Sequence, residues 1–165
     1  MRASLAFVIA LIATSGSGGA AENLVREVRH ELLLVQGYTV FDWLAYRIDG
    51  AKVTLLGAVV NASLKRDAEN AVKKIEGAED VENDIEVLPD SASDDRIRHA
   101  VLASINKQLV RYQVAAVQSL HIVVKNGDVT LEGEVASQID KDRATLLAKH
   151  VQFVRNVTDN LVLQK

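Results

Sequence analysis

Val53-Thr54-Leu55-Leu56-Gly57 and Val129-Thr130-Leu131-Glu132-Gly133 are one motif written twice, 129 − 53 = 76 residues apart. At the same offset Val59 matches Val135, Lys65 matches Lys141, Ala68 matches Ala144, Lys73 matches Lys149 and Val81 matches Val157. Conservative pairs fill in around them: Leu44 with Leu120, Ile48 with Val124, Ile75 with Val151, Ile85 with Leu161. An internal repeat of this length makes the chain two small copies of one unit, about 70 residues each. Units that small bury little of their surface, so they gain from packing against a neighbour.

Working outward from the motif, each copy predicts helix, strand, strand, helix, strand. In the first copy Leu24, Val28 and Leu32 recur at i, i+4, i+8, which predicts a helix over roughly 22–35 ended by Gly37. Thr39 to Asp49 reads as a strand, Gly50-Ala51-Lys52 as a turn, and Val53 to Val60 as the second strand of a hairpin. Asn61 is placed to cap a helix with Leu64, Ala68, Ala71, Val72 and Ile75 on its buried face. Val81, Ile85 and Val87 form the last strand. In the second copy Ser93 is the expected N-cap, and Ile97, Val101 and Ile105 repeat the first helix face. Leu120, Ile122 and Val124 alternate into Asn126-Gly127, the strongest short hairpin signal. Ser137 to Asp140 resembles a capping box. The expected fold class is therefore α+β, with two tandem domains, each a three-stranded sheet covered on one face by two helices.

Residues 1–21 read as a secretory signal peptide: Arg2, an apolar run from Leu5 to Ala13, then small residues ending at Ala20-Ala21. That run is shorter than the ~20 residues of a spanning helix. The expected divisions are 1–21 signal peptide, 22–88 first domain, 89–93 linker with the only proline, and 94–165 second domain. The chain has no cysteine, so neither a disulfide framework nor a lipidation cysteine is expected. Without Arg2, 19 − 1 = 18 basic residues face 22 acidic ones. A mildly acidic balance does not favour bulk nucleic-acid binding.

No constellation of residues predicts catalysis. His30, His99, His121 and His150 lie too far apart for a zinc motif and read as solvated. No Gly-x-Ser-x-Gly elbow or phosphate-cradling glycine loop exists. The acidic clusters around Glu82-Asn83-Asp84 and Asp90 to Asp95 lack calcium-loop spacing. Catalytic, metal and cofactor residues are accordingly expected to be none.

Two surfaces stand out. Alternation places Leu44, Tyr46 and Ile48 with Val53, Leu55 and Val59 under the helices. Phe41, Trp43, Ala45, Leu56, Ala58 and Val60 then form an apolar outer face. The equivalent face of the second copy, Ser119, His121, Thr130, Glu132 and Glu134, is more polar. An apolar outer face is covered by the second domain, or meets a partner, client chain or lipid; a register one residue off would swap the faces. The other surface is the last helix, where Lys141, Arg143, Lys149 and Arg155 accompany Leu146 and Phe153, with Asp140 and Asp142 diluting the charge. Basic and apolar residues side by side suit anionic headgroups and the edge of the acyl layer.

The hairpin Asn126-Gly127-Asp128-Val129-Thr130-Leu131-Glu132-Gly133-Glu134-Val135, its degenerate partner at 50–59, and the capped helix leading to Gly77-Ala78-Glu79-Asp80-Val81-Glu82-Asn83 resemble the BON domain family, twice over nearly the whole mature chain. Where the family has Gly then Val, the first copy has Gly77-Ala78 and the second has Phe153-Val154. The tandem layout is similar to osmotically inducible periplasmic proteins and to outer-membrane lipoproteins of Gram-negative bacteria. The resemblance implies a periplasmic, non-enzymatic protein that binds anionic phospholipid or the envelope surface and supports envelope integrity or stress tolerance. The alternatives it leaves are a chaperone holding unfolded clients and an adaptor for another envelope protein.

Overall fold

The computed structural model describes residues 18–109 and 119–164. Most of the expected signal peptide, residues 1–17, lies outside the described residues. The first helix, α1 (Gly18–Leu34), already includes the small residues at the expected cleavage site.

The element order repeats as the sequence predicts. After α1 come β1 (Trp43–Asp49), β2 (Lys52–Val59), α2 (Ala62–Val72), β3 (Asp80–Asn83) and β4 (Glu86–Val87). The second copy contributes α3 (Ala92–Gln108), β5 (Leu120–Lys125), β6 (Asp128–Val135), α4 (Gln138–Lys149), β7 (Asn156–Asp159) and β8 (Val162–Leu163). The single last strand expected in each copy is two short strands, and both pair in parallel with the motif strand. Their register is continuous. Lys52 faces Asp80 and Ala58 faces Glu86, so 80 − 52 = 86 − 58 = 28. In the second copy Asp128 faces Asn156 and Glu134 faces Val162, so 156 − 128 = 162 − 134 = 28. The motif strand is therefore the centre of each sheet, joined to its last strands by a helical crossover.

The break between the two short strands has the same cause in both copies. At its edge stands an Asx residue, Asn83 or Asp159, 159 − 83 = 76 residues apart. Asn83 Oδ1 accepts from Ile85 N at 3.2 Å, and its Nδ2 donates to Lys65 O at 2.9 Å and Glu69 Oε2 at 3.0 Å. Asp159 Oδ1 accepts from Leu161 N at 3.0 Å, and its Oδ2 accepts from Thr145 Oγ1 at 2.9 Å. Each ties the strand to the crossover helix. The turn aims Ile85 or Leu161 into the core, where both are buried.

The alternation assigned from sequence has the right register. Leu44, Val53, Leu55 and Val59 are buried with Leu24, Val28, Leu32, Leu64, Ala68 and Val72 in the first core. Ile97, Val101, Ile105, Ile122, Val124, Leu131 and Ala144 sit in the second. Asn61 and Ser137 are the N-caps of α2 and α4. The N-cap of α3 is Ser91 rather than Ser93, and its hydroxyl accepts from Asp94 N at 3.2 Å. Asp94 is thereby freed for another task. Its carboxylate, buried, accepts from Asn126 N at 2.8 Å and Gly127 N at 2.9 Å and clasps the hairpin turn.

The expected first strand begins four residues late. Thr39–Asp42 is a turn, closed by the Asp42 carboxylate on Thr39 N at 3.0 Å and Thr39 Oγ1 at 2.7 Å. This turn does not belong to the first compact unit. That unit comprises the described residues up to Tyr38 together with Leu44–Val87, whereas Thr39–Trp43 forms the second unit with the described residues from Leu88 onward. Within the second unit Val40 is buried in the core, and its carbonyl accepts from Ile122 N at 2.8 Å on edge strand β5.

Gly133 ends the motif at φ 108, and a Cβ there would stand 2.0 Å from the Ser119 carbonyl oxygen. That oxygen accepts from Glu134 N at 2.7 Å. Gly133→Ala combines a backbone clash with a disfavoured φ. It is expected to cost at least about 2 kcal/mol of second-unit stability, read as a lower urea midpoint of the full chain.

Candidate functional site

Helix α4 is built on its cap. The Ser137 hydroxyl accepts from Asp140 N at 3.2 Å and donates to Asp140 Oδ2 at 2.7 Å. Asp140 is buried, so it does not dilute the surface charge as expected from sequence. Asp142 is exposed and accepts from Gln138 Nε2 at 2.7 Å. Ala144 and Ala148 fill the buried side, with Leu147 and Val151 partly buried beside them.

The other side of α4 carries large apolar groups. Ile139 is 69% exposed, Leu146 56% and Phe153 70%. Seven residues make nearly two helical turns, so Ile139 and Leu146 lie on one line, and Phe153 follows in the turn beyond the helix. Ile139 was not singled out from sequence; its seven-residue spacing from Leu146 was the available signal. Arg143, Lys149 and His150 are exposed around this row. Arg143 and Lys149 have no ion pair or hydrogen bond among the described residues. The His150 ring Nδ1 lies 2.7 Å from Leu146 O.

Two of the expected basic contacts are turned to structural use. Lys141 Nζ donates to Leu161 O and lies 3.5 Å from Asp159 Oδ1, so it joins the Asx tie. Arg155 N donates to Gly127 O at 2.9 Å, and its guanidinium to Asn126 O at 3.4 Å. Its stem lies over Gly127, where a Cβ would meet Arg155 Cδ at 3.1 Å and Phe153 O at 3.3 Å. Arg155 remains exposed.

Phe153 has φ 70, in the left-handed region. The equivalent residue of the first copy, 153 − 76 = 77, is Gly77 at φ 93. A side chain bearing a Cβ costs roughly 1–2 kcal/mol in that conformation. With the ring 70% exposed, burial in its own unit does little to offset it.

The six residues of the expected apolar face are divided between the two compact units. Phe41 and Trp43 belong to the second unit and are half-buried. The Phe41 ring lies 4.9 Å from the His99 ring, and the Trp43 ring 5.2 Å from that of His121. Ala45, Leu56 and Ala58 are half-buried in the first unit, and only Val60 is exposed. His121 is buried rather than solvated, with Nδ1 3.3 Å from Thr39 O. Leu44, Val53, Leu55 and Val59 face the core as expected, but Phe41 precedes β1, which begins at Trp43.

No group of three or more His, Cys, Asp or Glu side chains able to hold a metal exists among the described residues. A family model described as BON domain matches residues 45–89 and 93–165. No curated protein matches. Two solved structures of CdsD, a structural protein of the type III secretion system of Chlamydia trachomatis, are similar. One, its C-terminal domain, is 11% identical with a TM-score of 0.34, covering 87% of this chain and 98% of its own. The other is 13% identical with a TM-score of 0.33, covering 86% and 92%.

Glu132 stands on the outer face of β6 and accepts from Asn160 Nδ2 at 2.8 Å. Burial pushes its carboxyl above the usual range, and the Asn160 hydrogen bond only partly opposes this. The folded chain thus holds this proton more tightly than the unfolded chain. Its contribution to stability falls as pH rises from about 4.3 through the raised folded value. Glu132→Gln is expected to melt at a higher temperature than the parent at pH 7. The gap should close as pH falls below about 4 in a thermal series.

Proposed function

We propose, from the premise that the chain belongs to the BON domain family in two tandem copies, that it is a non-enzymatic exported protein whose second domain binds anionic phospholipid through the free side of α4. Proteins of this family are generally associated with the cell envelope. No helix among the described residues is long and apolar enough to cross a membrane. The contact proposed is peripheral and periplasmic.

One observation carries the reading. Arg143 and Lys149, without partners among the described residues, accompany the exposed Ile139 and Leu146 on α4, and the exposed Phe153 follows in the turn beyond it. Cations beside apolar groups match a surface that is anionic at the headgroups and apolar just beneath. The burial of Asp140 strengthens this match, because it leaves Asp142 as the acid on the helix surface near Arg143. The client-holding alternative has less support, since Phe41 and Trp43, its aromatic residues, are half-buried within the second unit.

A basic residue near an anionic bilayer contributes about 1 kcal/mol. Arg143→Gln with Lys149→Gln is therefore expected to weaken binding of the full chain to phosphatidylglycerol-containing vesicles by roughly thirtyfold in co-sedimentation at low salt. Parent binding should fall with added salt and be absent on purely zwitterionic vesicles. Unchanged affinity in the double variant would sink the proposal.

A further inference from the structure

We infer that Phe153 is a preset anchor: the fold spends backbone strain to hold this ring in solvent, where it enters the acyl edge of an anionic bilayer. The inference rests on the lipid-binding reading and adds to it the residue that penetrates.

Phe153 occupies a left-handed conformation at a position where the first copy has glycine. A Cβ at Gly77 would meet nothing within 4 Å, so that glycine answers to its φ and not to crowding. The second copy keeps the turn and pays for an aromatic side chain in it. Strain of this kind persists only where the surroundings over-determine it.

The surroundings do so from both sides. On one side Val154 N donates to Val151 O at 3.3 Å and Val151 N to Ala148 O at 3.2 Å, joining the turn to the end of α4. On the other, Arg155 N donates to Gly127 O at 2.9 Å. Gly127 is itself held through its own N–H by the buried Asp94 carboxylate at the start of α3. The mount thus runs from α3 through the Asn126-Gly127 turn to the residues flanking Phe153. A turn whose backbone is fixed in advance loses little further main-chain freedom when its exposed ring inserts. Charge complementarity selects the occupant: Arg143 and Lys149 are exposed on α4 with Ile139 and Leu146, and Arg155 is exposed two residues beyond Phe153, so an anionic lipid surface fits better than a neutral apolar groove.

Two variants of the full chain test this on vesicles of phosphatidylglycerol and phosphatidylcholine, with binding by co-sedimentation and stability by thermal melting. Phe153→Gly removes the ring and relieves the strain; Phe153→Ala removes the ring and keeps a Cβ in the strained turn. Both should bind on the order of tenfold more weakly. Phe153→Gly should also melt about 3 °C above Phe153→Ala. Parent-like binding by both variants, while Arg143→Gln with Lys149→Gln still loses binding, overturns the anchor and leaves the lipid reading standing. Parent-like binding by all three overturns both. A melting temperature for Phe153→Gly no higher than that of Phe153→Ala overturns the strain.

Discussion

At Gly133 two stretches of backbone meet so closely that the Ser119 carbonyl stands where a side chain would begin. With that space open, Glu134 N–H closes on Ser119 O, and β5 and β6 keep their register from Leu120 opposite Gly133 to Lys125 opposite Asp128. Gly57 has the matching φ of 116 in the first copy. The glycine that closes the repeated motif therefore answers to the path of the hairpin. Everything else hangs on that central strand, which pairs with its hairpin partner on one side and its last strands on the other.

Around this shared frame the two copies spend polar residues differently. The Asx tie is common to both, but in the second copy it draws in Lys141 as well as Thr145. Asp94 stands in the second copy where the helix match, 94 − 73 = 21, puts Ala21 in the first. Arg98 correspondingly replaces Val25, and its guanidinium reaches Val124 O at 2.8 Å while also pairing with Asp95. Buried charge of this kind carries a desolvation cost: the Asp94 carboxylate and one amino group of Arg98 meet backbone groups of the hairpin, whereas Arg98 Nε is buried with no hydrogen-bond partner among the described residues. The effect is to fix the end of the second domain that carries Asn126-Gly127 and the turn after α4. A site that must present side chains to a surface benefits from such a mount.

The basic residues of the second domain show why composition is a poor guide to a surface. Lys141, Arg143, Lys149 and Arg155 read alike in sequence, yet the fold divides them. Lys141 is tied to a strand end, the Arg155 stem lies over the hairpin turn, and Arg143 and Lys149 have no ion pair or hydrogen bond among the described residues. Asp140 looks like a surface acid and is buried under its own cap. His121 looks solvated because it alternates outward, and is buried because Trp43 packs on it. Each difference comes from a partner distant in sequence or hidden by a turn.

What the sequence by itself determined were the periodic and local features: the two copies, the hairpins, the caps Asn61 and Ser137, the buried faces of the helices and the register of the motif strands. These depend on neighbours within a few residues and on the periods 3.6 and 2, which are written along the chain. Only the tertiary structure decided that Thr39–Trp43 sits with the second unit, that the last strands break at Asn83 and Asp159, and that Ile139 joins Leu146 and Phe153 in solvent. Such outcomes turn on which long-range partner reaches a backbone group first. Val40 O finds Ile122 N across 122 − 40 = 82 residues, and no local pattern encodes that hydrogen bond.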